Sequence, residues 1–224
     1  MSVPEAIVLV SGGLDSCVSL AWAHRQGWGI RTLHVSYGQR TEKREEQAFH
    51  EIADHYEVPA ERRLRISIEC LRLIGGSSLI DRSMPVEAAE LDRGALPTTY
   101  VPFRNTHLLA AAASWAEVCR ADRIVIGAVY EDSSGYPDCR PAYYEAFQAL
   151  LDVAAPGANL QVVTPLLHRT KGQIVRLGRS LDAPLDRTWS CYQATERACG
   201  VCDSCALRLK GFREEGIPDP IPYS

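Results

Sequence analysis

The feature that most constrains this chain is a glycine turn that joins an apolar run of strand length to a helical pattern. The run occupies residues 6–10, and the turn reads S-G-G-L-D-S over residues 11–16. Glycines let backbone N–H groups approach an anion without interference from a Cβ atom. The first turn of the following helix adds unpaired N–H groups and the positive end of the helix dipole. The pattern therefore predicts a phosphate site, although an ordinary strand-to-helix connection can have the same sequence.

The turn matches neither of two common phosphate motifs, because it lacks the lysine of G-x-x-x-x-G-K-[ST] and the spacing of G-x-G-x-x-G. Ser11 and Ser16 offer hydroxyl donors, and Asp15 can hold Mg²⁺ against phosphate oxygens. The six residues resemble the pyrophosphate loop of the ATP pyrophosphatases, enzymes that cleave ATP between its α and β phosphates and adenylate a substrate oxygen.

Composition limits the classes of protein to which the chain can belong. Its 224 residues are 46% hydrophobic and 23% charged, which suits a globular domain with its own core. The net charge of −4 argues against binding to duplex or long RNA. The sequence shows no apolar run of about eighteen residues and no basic-then-apolar leader, so we expect a cytoplasmic protein without a membrane partner.

Strand-like and helix-like segments alternate, which is typical of an α/β fold with a Rossmann-like, mostly parallel sheet covered by helices on both faces. We predict strands over residues 6–10, 30–37, 63–68, 123–128 and 160–165. We predict helices over residues 14–26, 105–119 and 143–153, one ending near residue 55, and one capped by Thr170. Periodicity fails over residues 75–97, which form either a flap over the site or a surface excursion. The α/β domain is placed at residues 1–186, and a small C-terminal region at residues 187–224.

Polar side chains gather where the predicted strands end, which is where parallel sheets bind ligands. Gln39 and Arg40 begin a charge run that is otherwise typical of a solvated face. Arg104 precedes an apolar helix and is a candidate for binding an anion, whereas Asp138 could bind a ligand or cap the next helix. Lys171 opens a helix, where the dipole disfavours a cation, so we expect an anionic partner such as ATP phosphates, or else solvent.

Four of the eight cysteines lie close together, at Cys191, Cys199, Cys202 and Cys205. Four thiolates at this spacing can enclose a zinc ion tetrahedrally and leave no open position, so the metal would be structural. An iron–sulfur cluster and four free thiols are the alternatives.

Several longer motifs resemble the 7-cyano-7-deazaguanine synthase family of queuosine biosynthesis, and the resemblance covers essentially the whole chain. The motifs are S-G-G-L-D-S at 11–16, Y-G-Q-R at 37–40, Y-V-P and R-N within 100–105, S-G-Y-P-D-C-R at 134–140, T-K at 170–171, W-S-C-Y at 189–192, C-G-V-C-D-S-C at 199–205 and G-I-P-D-P at 216–220. Phe103 departs from the family pattern, where a small residue is usual, and Ser133 stands where an aromatic residue is common. Both departures bear on the substrate pocket rather than on the nucleotide chemistry.

The resemblance implies a ligase that forms a nitrile. ATP adenylates the carboxylate of 7-carboxy-7-deazaguanine, ammonia displaces AMP to give an amide, and a second ATP activates the amide oxygen before AMP leaves the nitrile. By this resemblance, ATP with Mg²⁺ is assigned to Val10, Ser11, Gly12, Gly13, Leu14, Asp15, Ser16, His34 and Lys171. The residues expected to act in catalysis are Asp15, Ser16 and Lys171. The deazapurine acid is assigned to Tyr37, Gln39, Arg40, Arg104, Asn105, Tyr136, Asp138 and Arg140.

The resemblance also implies a structural Zn²⁺ on the four clustered cysteines, a homodimer, and no direct nucleic-acid partner. Three other readings share the same loop. One is a related enzyme that amidates or thiolates tRNA, and another is a ligase acting on a deazaguanine that is attached to a macromolecule. The third is a module that binds ATP and zinc without catalysis.

Overall fold

Within the residues that the computed structural model describes (3–91, 93–130, 135–155 and 157–224), five strands form a single parallel sheet. The strands are β1 Glu5–Leu9, β2 Gly29–Ser36, β3 Arg63–Ser67, β4 Arg123–Val125 and β5 Gln161–Val163. Their order is β3-β2-β1-β4-β5, and the central strand pairs Ala6 with Ile30 on one side and with Arg123 on the other. The order reverses between β1 and β4, so a ligand crevice is expected there. The predicted α/β class is confirmed.

Helices connect the strands and cover both faces of the sheet. They are α1 Leu14–Arg25, α2 Glu42–His55, α3 Glu69–Ile74, α4 Arg104–Cys119, α5 Pro141–Ala154, α6 Lys171–Ser180 and α7 Asp203–Glu214. Short 3-10 turns occupy Ala60–Arg62, Pro137–Cys139 and Leu185–Arg187. In the described residues, no helix is both long and apolar enough to cross a membrane.

Alternation along β1 divides the core into two layers, because successive side chains of a strand point to opposite faces. Ile7 and Leu9 pack with Leu109 of α4 and Phe147 of α5. Val8, with Ala6 and Val10, faces the opposite layer formed by α1 and α2. A third cluster joins α1, α6 and α7. α7 of the C-terminal region therefore packs directly on the α/β core, and the boundary proposed after residue 186 stays a prediction.

Most predicted elements are found within a few residues of their expected limits. The fourth and fifth strands are shorter than predicted, and α3 was missed because six residues give little periodicity. Thr170 caps α6 as expected: its hydroxyl accepts from the Gln173 N–H, and the Gln173 side chain accepts from the Thr170 N–H.

The irregular segment that follows α3 is partly anchored rather than wholly exposed. Ser77, Ser78, Leu79 and Ile80 are buried. Farther along, the Ala89 N–H donates to the Val201 carbonyl, so the segment also lies against the cysteine-rich region. Whether it moves as a flap stays a prediction.

Candidate active site

A cavity of about 270 Å³ lies at the carboxyl edge of the sheet, where the strand order reverses between β1 and β4. The glycine turn forms one wall, and the ends of β2 and β4 form others. Residues from the predicted site that line the cavity are Val10, Ser11, Gly13, Leu14, Asp15, Ser16, Tyr37, Gln39, Arg40, Arg104, Asn105, Tyr136 and Lys171. Residues from five separate sequence motifs therefore meet at one crevice.

Two glycines let backbone segments approach the turn closely. Gly12 has a φ of +91°, and a Cβ atom there would lie 2.5 Å from the Glu45 carbonyl oxygen. A Cβ atom on Gly127, after β4, would lie 2.8 Å from the Asp15 carbonyl carbon. The Trp189 N–H donates to the Gly12 carbonyl at 2.8 Å, which ties the turn to the C-terminal region.

The two serines of the turn hold its shape. The Ser16 hydroxyl donates to the Gly13 carbonyl at 3.0 Å, and the Ser11 hydroxyl donates to Ser16 Oγ at 3.2 Å. Ser11 Oγ also accepts from the Gly13 N–H at 3.3 Å. α1 has no side-chain cap, so its first N–H groups face the crevice in the manner of an anion site.

Asp15 and Lys171 form an ion pair across the turn, with Lys171 Nζ 2.6 Å from Asp15 Oδ2. The Lys171 side chain is 9% exposed, so its charge is held in a largely dry place. The partner of Lys171 in this structure is therefore the Asp15 carboxylate, and its contact with ATP phosphates stays a prediction. Asp15 Oδ1 is buried and has no hydrogen-bond partner among the described residues. A buried carboxylate oxygen of this kind suits a hard cation such as Mg²⁺.

Arg104 lies among tyrosines at the other side of the cavity. Its guanidinium carbon is 5.8 Å from the centre of the Tyr37 ring and 5.7 Å from that of Tyr136. Burial by itself would lower the pKa of Arg104, but Tyr37, Tyr136, Tyr192 and Asp138 together hold that pKa well above its usual value. A fixed cation among aromatic rings can contact a flat ligand that carries a carboxylate.

The backbone at the first departure from the family pattern, Phe103, disfavours a bulky side chain. Phe103 is 67% exposed, and it has a left-handed φ of 56° at the start of α4. A glycine or another small residue suits that conformation better than a bulky side chain does. Phe103 faces solvent instead of reshaping the cavity. The second departure, Ser133, lies outside the described residues.

The structure does not bring His34 to the cavity. Its neighbours Leu33 and Val35 line the cavity, so alternation turns His34 to the opposite face, 5.1 Å from the Phe49 ring centre. Its Nδ1 lies 2.9 Å from the Val10 carbonyl oxygen. Burial lowers the pKa of His34, so the ring is neutral at pH 7. These contacts favour a packing role for His34. Through its contact with the Val10 carbonyl, His34 supports the residue that follows β1 and lines the cavity.

Three other predicted substrate contacts have different surroundings. Arg40 reaches the cavity, but its guanidinium donates to the carbonyls of Ser78, Asp81 and Met84 and so anchors the irregular segment. Asp138 lies behind the cavity wall, where Oδ2 accepts from the Asn105 N–H at 3.3 Å and burial raises the pKa of Asp138. Arg140 is exposed.

Two charged residues of the cavity wall carried no sequence signal. Glu45 belongs to the charge run that was interpreted as a solvated face, yet it lines the cavity. Arg208 is 1% exposed and forms a two-point ion pair with Asp219, at 2.7 Å and 2.9 Å. Arg208 also donates to the hydroxyls of Thr188 and Ser190, so it supports the loop that holds Gly12.

The four predicted zinc ligands come together. The sulfur atoms of Cys191, Cys199, Cys202 and Cys205 all lie within 4.8 Å of one another. Zinc–sulfur bonds of about 2.3 Å in a tetrahedron require sulfur separations of about 3.8 Å, and Cys199 and Cys205 are 3.9 Å apart. Hydrogen bonds from the neighbouring thiols lower the pKa of Cys191, and the same bonding raises the pKa of Cys202 to about 12. The set fits a structural tetrahedral metal.

The parallel sheet of order β3-β2-β1-β4-β5, with helices on both faces, defines a Rossmann-like α/β protein. Solved structures of NMN synthetase from Francisella tularensis and of a predicted subunit of tRNA methyltransferase from Methanocaldococcus jannaschii share this fold. The first has a TM-score of 0.51 at 17% identity over 96% of this chain and 79% of that one. The second has a TM-score of 0.54 at 14% identity over 99% and 93%.

The chain belongs to the family described as Queuosine biosynthesis protein QueC, whose profile matches residues 5–216. It is 51% identical over 220 residues to a 7-cyano-7-deazaguanine synthase of Chlorobium luteolum, covering 98% of this chain and 96% of the relative. It is 52% identical over 224 residues to the enzyme of the same name from Acidobacterium capsulatum, with the same coverage. The predicted family is confirmed.

Proposed function

We propose that this protein is an ATP-dependent ligase that converts 7-carboxy-7-deazaguanine and ammonia into 7-cyano-7-deazaguanine through adenylated intermediates. The observation that carries the proposal is identity of about half the residues, over nearly the full length, to synthases of that product. The cavity supports it, because hydroxyl and N–H donors of the glycine turn lie at one end and Arg104 lies among tyrosine rings at the other.

The glycine turn supplies the phosphate end. The N–H groups at the start of α1 and the Ser11 and Ser16 hydroxyls would hold the leaving pyrophosphate. Lys171 would offset the charge that develops as the α–β bond breaks. Bound Mg²⁺ would neutralise phosphate charge, and Asp15 would hold it through Oδ1, the buried oxygen that no described residue contacts by a hydrogen bond. Most of the catalytic effect then comes from positioning and electrostatics, so no side-chain nucleophile is needed.

The tyrosine-lined end would hold the acid. Arg104 would contact the carboxylate, and the Tyr136 ring would lie against the deazapurine, with its hydroxyl fixed 2.8 Å from Thr99 Oγ1. Cys139 also lines this end. Burial raises the pKa of Cys139 to about 11, so its thiol stays protonated and is unsuited to act as a nucleophile.

The metal, the location and the assembly are part of the same proposal. The four cysteines would hold structural Zn²⁺, and α7, which begins next to Cys202, would be fixed by it. The homodimer follows from the family resemblance alone. Both it and the cytoplasmic location stay predictions.

The decisive assay mixes the purified chain with ATP, Mg²⁺ and ammonium, with or without 7-carboxy-7-deazaguanine, and measures AMP together with the mass of the product. We expect AMP release that depends on the acid and a product with the mass of the nitrile. Lys171→Ala should lower turnover about 100-fold, as loss of one electrostatic stabiliser does. Lys43→Ala, which changes an exposed lysine, is the control. AMP release that is the same with and without 7-carboxy-7-deazaguanine would overturn the substrate assignment.

A further inference from the structure

Glu45 is a carboxylate that faces the cavity. It lies in the first turns of α2, and its own carbonyl abuts Gly12 of the phosphate turn. Oε1 accepts from the Thr41 hydroxyl at 2.6 Å, and Oε2 accepts from the Gln39 side-chain amide at 3.0 Å. In the part of the chain that the structure describes, no salt bridge includes it. Its polar contacts are therefore neutral donors.

The two donors fix the carboxylate but leave it unsaturated. Gln39 is itself held in one orientation, because its Oε1 accepts from the Tyr37 N–H at 2.9 Å. A carboxylate has about four acceptor positions, and these contacts use two of them. Burial raises the pKa of Glu45, and the charge of Glu42 adds to this increase. The hydrogen bonds from Thr41 and Gln39 and the charge of Arg104 lower that pKa, but the net shift is upward. The group is thus suited to receive a small cationic donor and a proton from it.

We propose that Glu45, supported by Thr41 and Gln39, forms the ammonium-binding site of this enzyme and accepts the proton that converts ammonium into ammonia. The inference rests on the proposed function, which requires ammonia as the nucleophile. Ammonium has four N–H donors and no lone pair, so it must be bound and deprotonated before it attacks. Glu45 lines the same cavity as the phosphate turn, and its backbone carbonyl abuts Gly12. Its carboxylate is held by Gln39, whose side chain also contacts the Tyr37 N–H, and the acyl adenylate would form in this cavity.

The proton and electron balance of the step is simple. Ammonium gives a proton to the Glu45 carboxylate, and the nitrogen lone pair forms a C–N bond to the acyl carbon. The C–O bond to AMP breaks, and AMP leaves with that electron pair. The new nitrogen loses one further proton, which passes to solvent, and the amide remains. No oxidant or additional reactant is required.

The test separates ammonium chemistry from the formation of the adenylate. Glu45→Gln keeps the size and one acceptor oxygen, but it removes the charge and the basic group. Glu46→Gln is the matched control, because Glu46 follows Glu45 in the chain but pairs with Arg65 on the surface. Each variant is assayed for acid-dependent exchange of pyrophosphate into ATP, for amide formation from ammonium, and for hydroxamate formation from hydroxylamine. Hydroxylamine is neutral at pH 7.5 and needs no base before it attacks.

We expect Glu45→Gln to lower amide formation about 100-fold and to raise the KM for ammonium, while hydroxamate formation changes far less. An equal fall with both nucleophiles would show a general structural effect and overturn the inference, as would an unchanged rate with ammonium. If the wild-type chain shows no exchange of pyrophosphate into ATP that depends on 7-carboxy-7-deazaguanine, the proposed function itself fails. If this exchange occurs but Glu45→Gln affects ammonium and hydroxylamine equally, only the Glu45 site is refuted.

Discussion

The ion pair between Arg208 and Asp219 offers the sharpest test of how the C-terminal region supports the cavity. Both side chains are almost fully buried, at 1% and 2% exposed. Asp219→Asn keeps the shape but leaves the Arg208 charge without its partner. Breaking a buried pair in this way costs about 3–5 kcal/mol, out of a total stability of about 5–15 kcal/mol.

For a chain of this size, each kcal/mol shifts the melting temperature by about 2–4 °C. We therefore expect Asp219→Asn to lower Tm by about 6–20 °C, measured by circular dichroism or calorimetry with zinc present. Glu46→Gln, which weakens an exposed pair, should cost no more than about 1 kcal/mol. Adding Arg208→Met to Asp219→Asn should restore part of the loss, because the unpaired charge is removed.

The result that would refute this reasoning is a Tm for Asp219→Asn within about 2 °C of the wild type, which is less than 1 kcal/mol at this chain length. It would mean that the Thr188 hydroxyl and the Leu185 carbonyl, which also accept from Arg208, satisfy the cation without the carboxylate. No recovery in the double variant would instead assign the loss to the hydrogen bonds that Asp219 accepts from Tyr223 and Ile221.

Three further outcomes follow from contacts described above. Gly127→Ala places a Cβ atom 2.8 Å from the Asp15 backbone and should lower the free energy of unfolding, measured in urea, by about 1–3 kcal/mol. Gly157→Ala, with open space around it, should change that free energy little. Cys202→Ser should lower the zinc content, measured by elemental analysis, and Tm together; retained zinc would exclude this cysteine as a ligand. Burial lowers the pKa of His34 below the unfolded value, so the stability it contributes is present above about pH 6.5 and is lost as pH falls below it. His34→Gln should reduce the change in the urea midpoint between pH 7.5 and 5.5. An unchanged pH dependence of the midpoint would exclude His34 as the cause of the stability lost at low pH.

Local patterns predicted the parts of the fold that depend on neighbouring residues. The glycine turn, the Thr170 cap and the cysteine spacing each specify their geometry within a few positions, and all three are found as expected. The periodicity of strands and helices was sufficient for the fold class, whereas six residues of α3 were too few to recognise.

The side chains that depend on distant partners could not be predicted in the same way. Glu45 is one carboxylate in a charged run, and its contact with the cavity comes from the approach of α2 to Gly12. In the sequence, Arg208 resembles any basic residue of a helix, and only the structure shows that it pairs with Asp219. His34 was expected at the ligand because it is near a strand end, but the alternation of β2 faces it toward Phe49.

The hydrogen bond from the Trp189 N–H to the Gly12 carbonyl also has a consequence for synthesis on the ribosome. The glycine turn is translated early, but the residues that brace it, from Trp189 through Arg208 to Asp219, are translated about 180 to 210 positions later. A nascent chain can build the sheet strand by strand and still lack a finished glycine turn. The proposed ATP-dependent activity should therefore appear only after nearly the whole polypeptide has emerged.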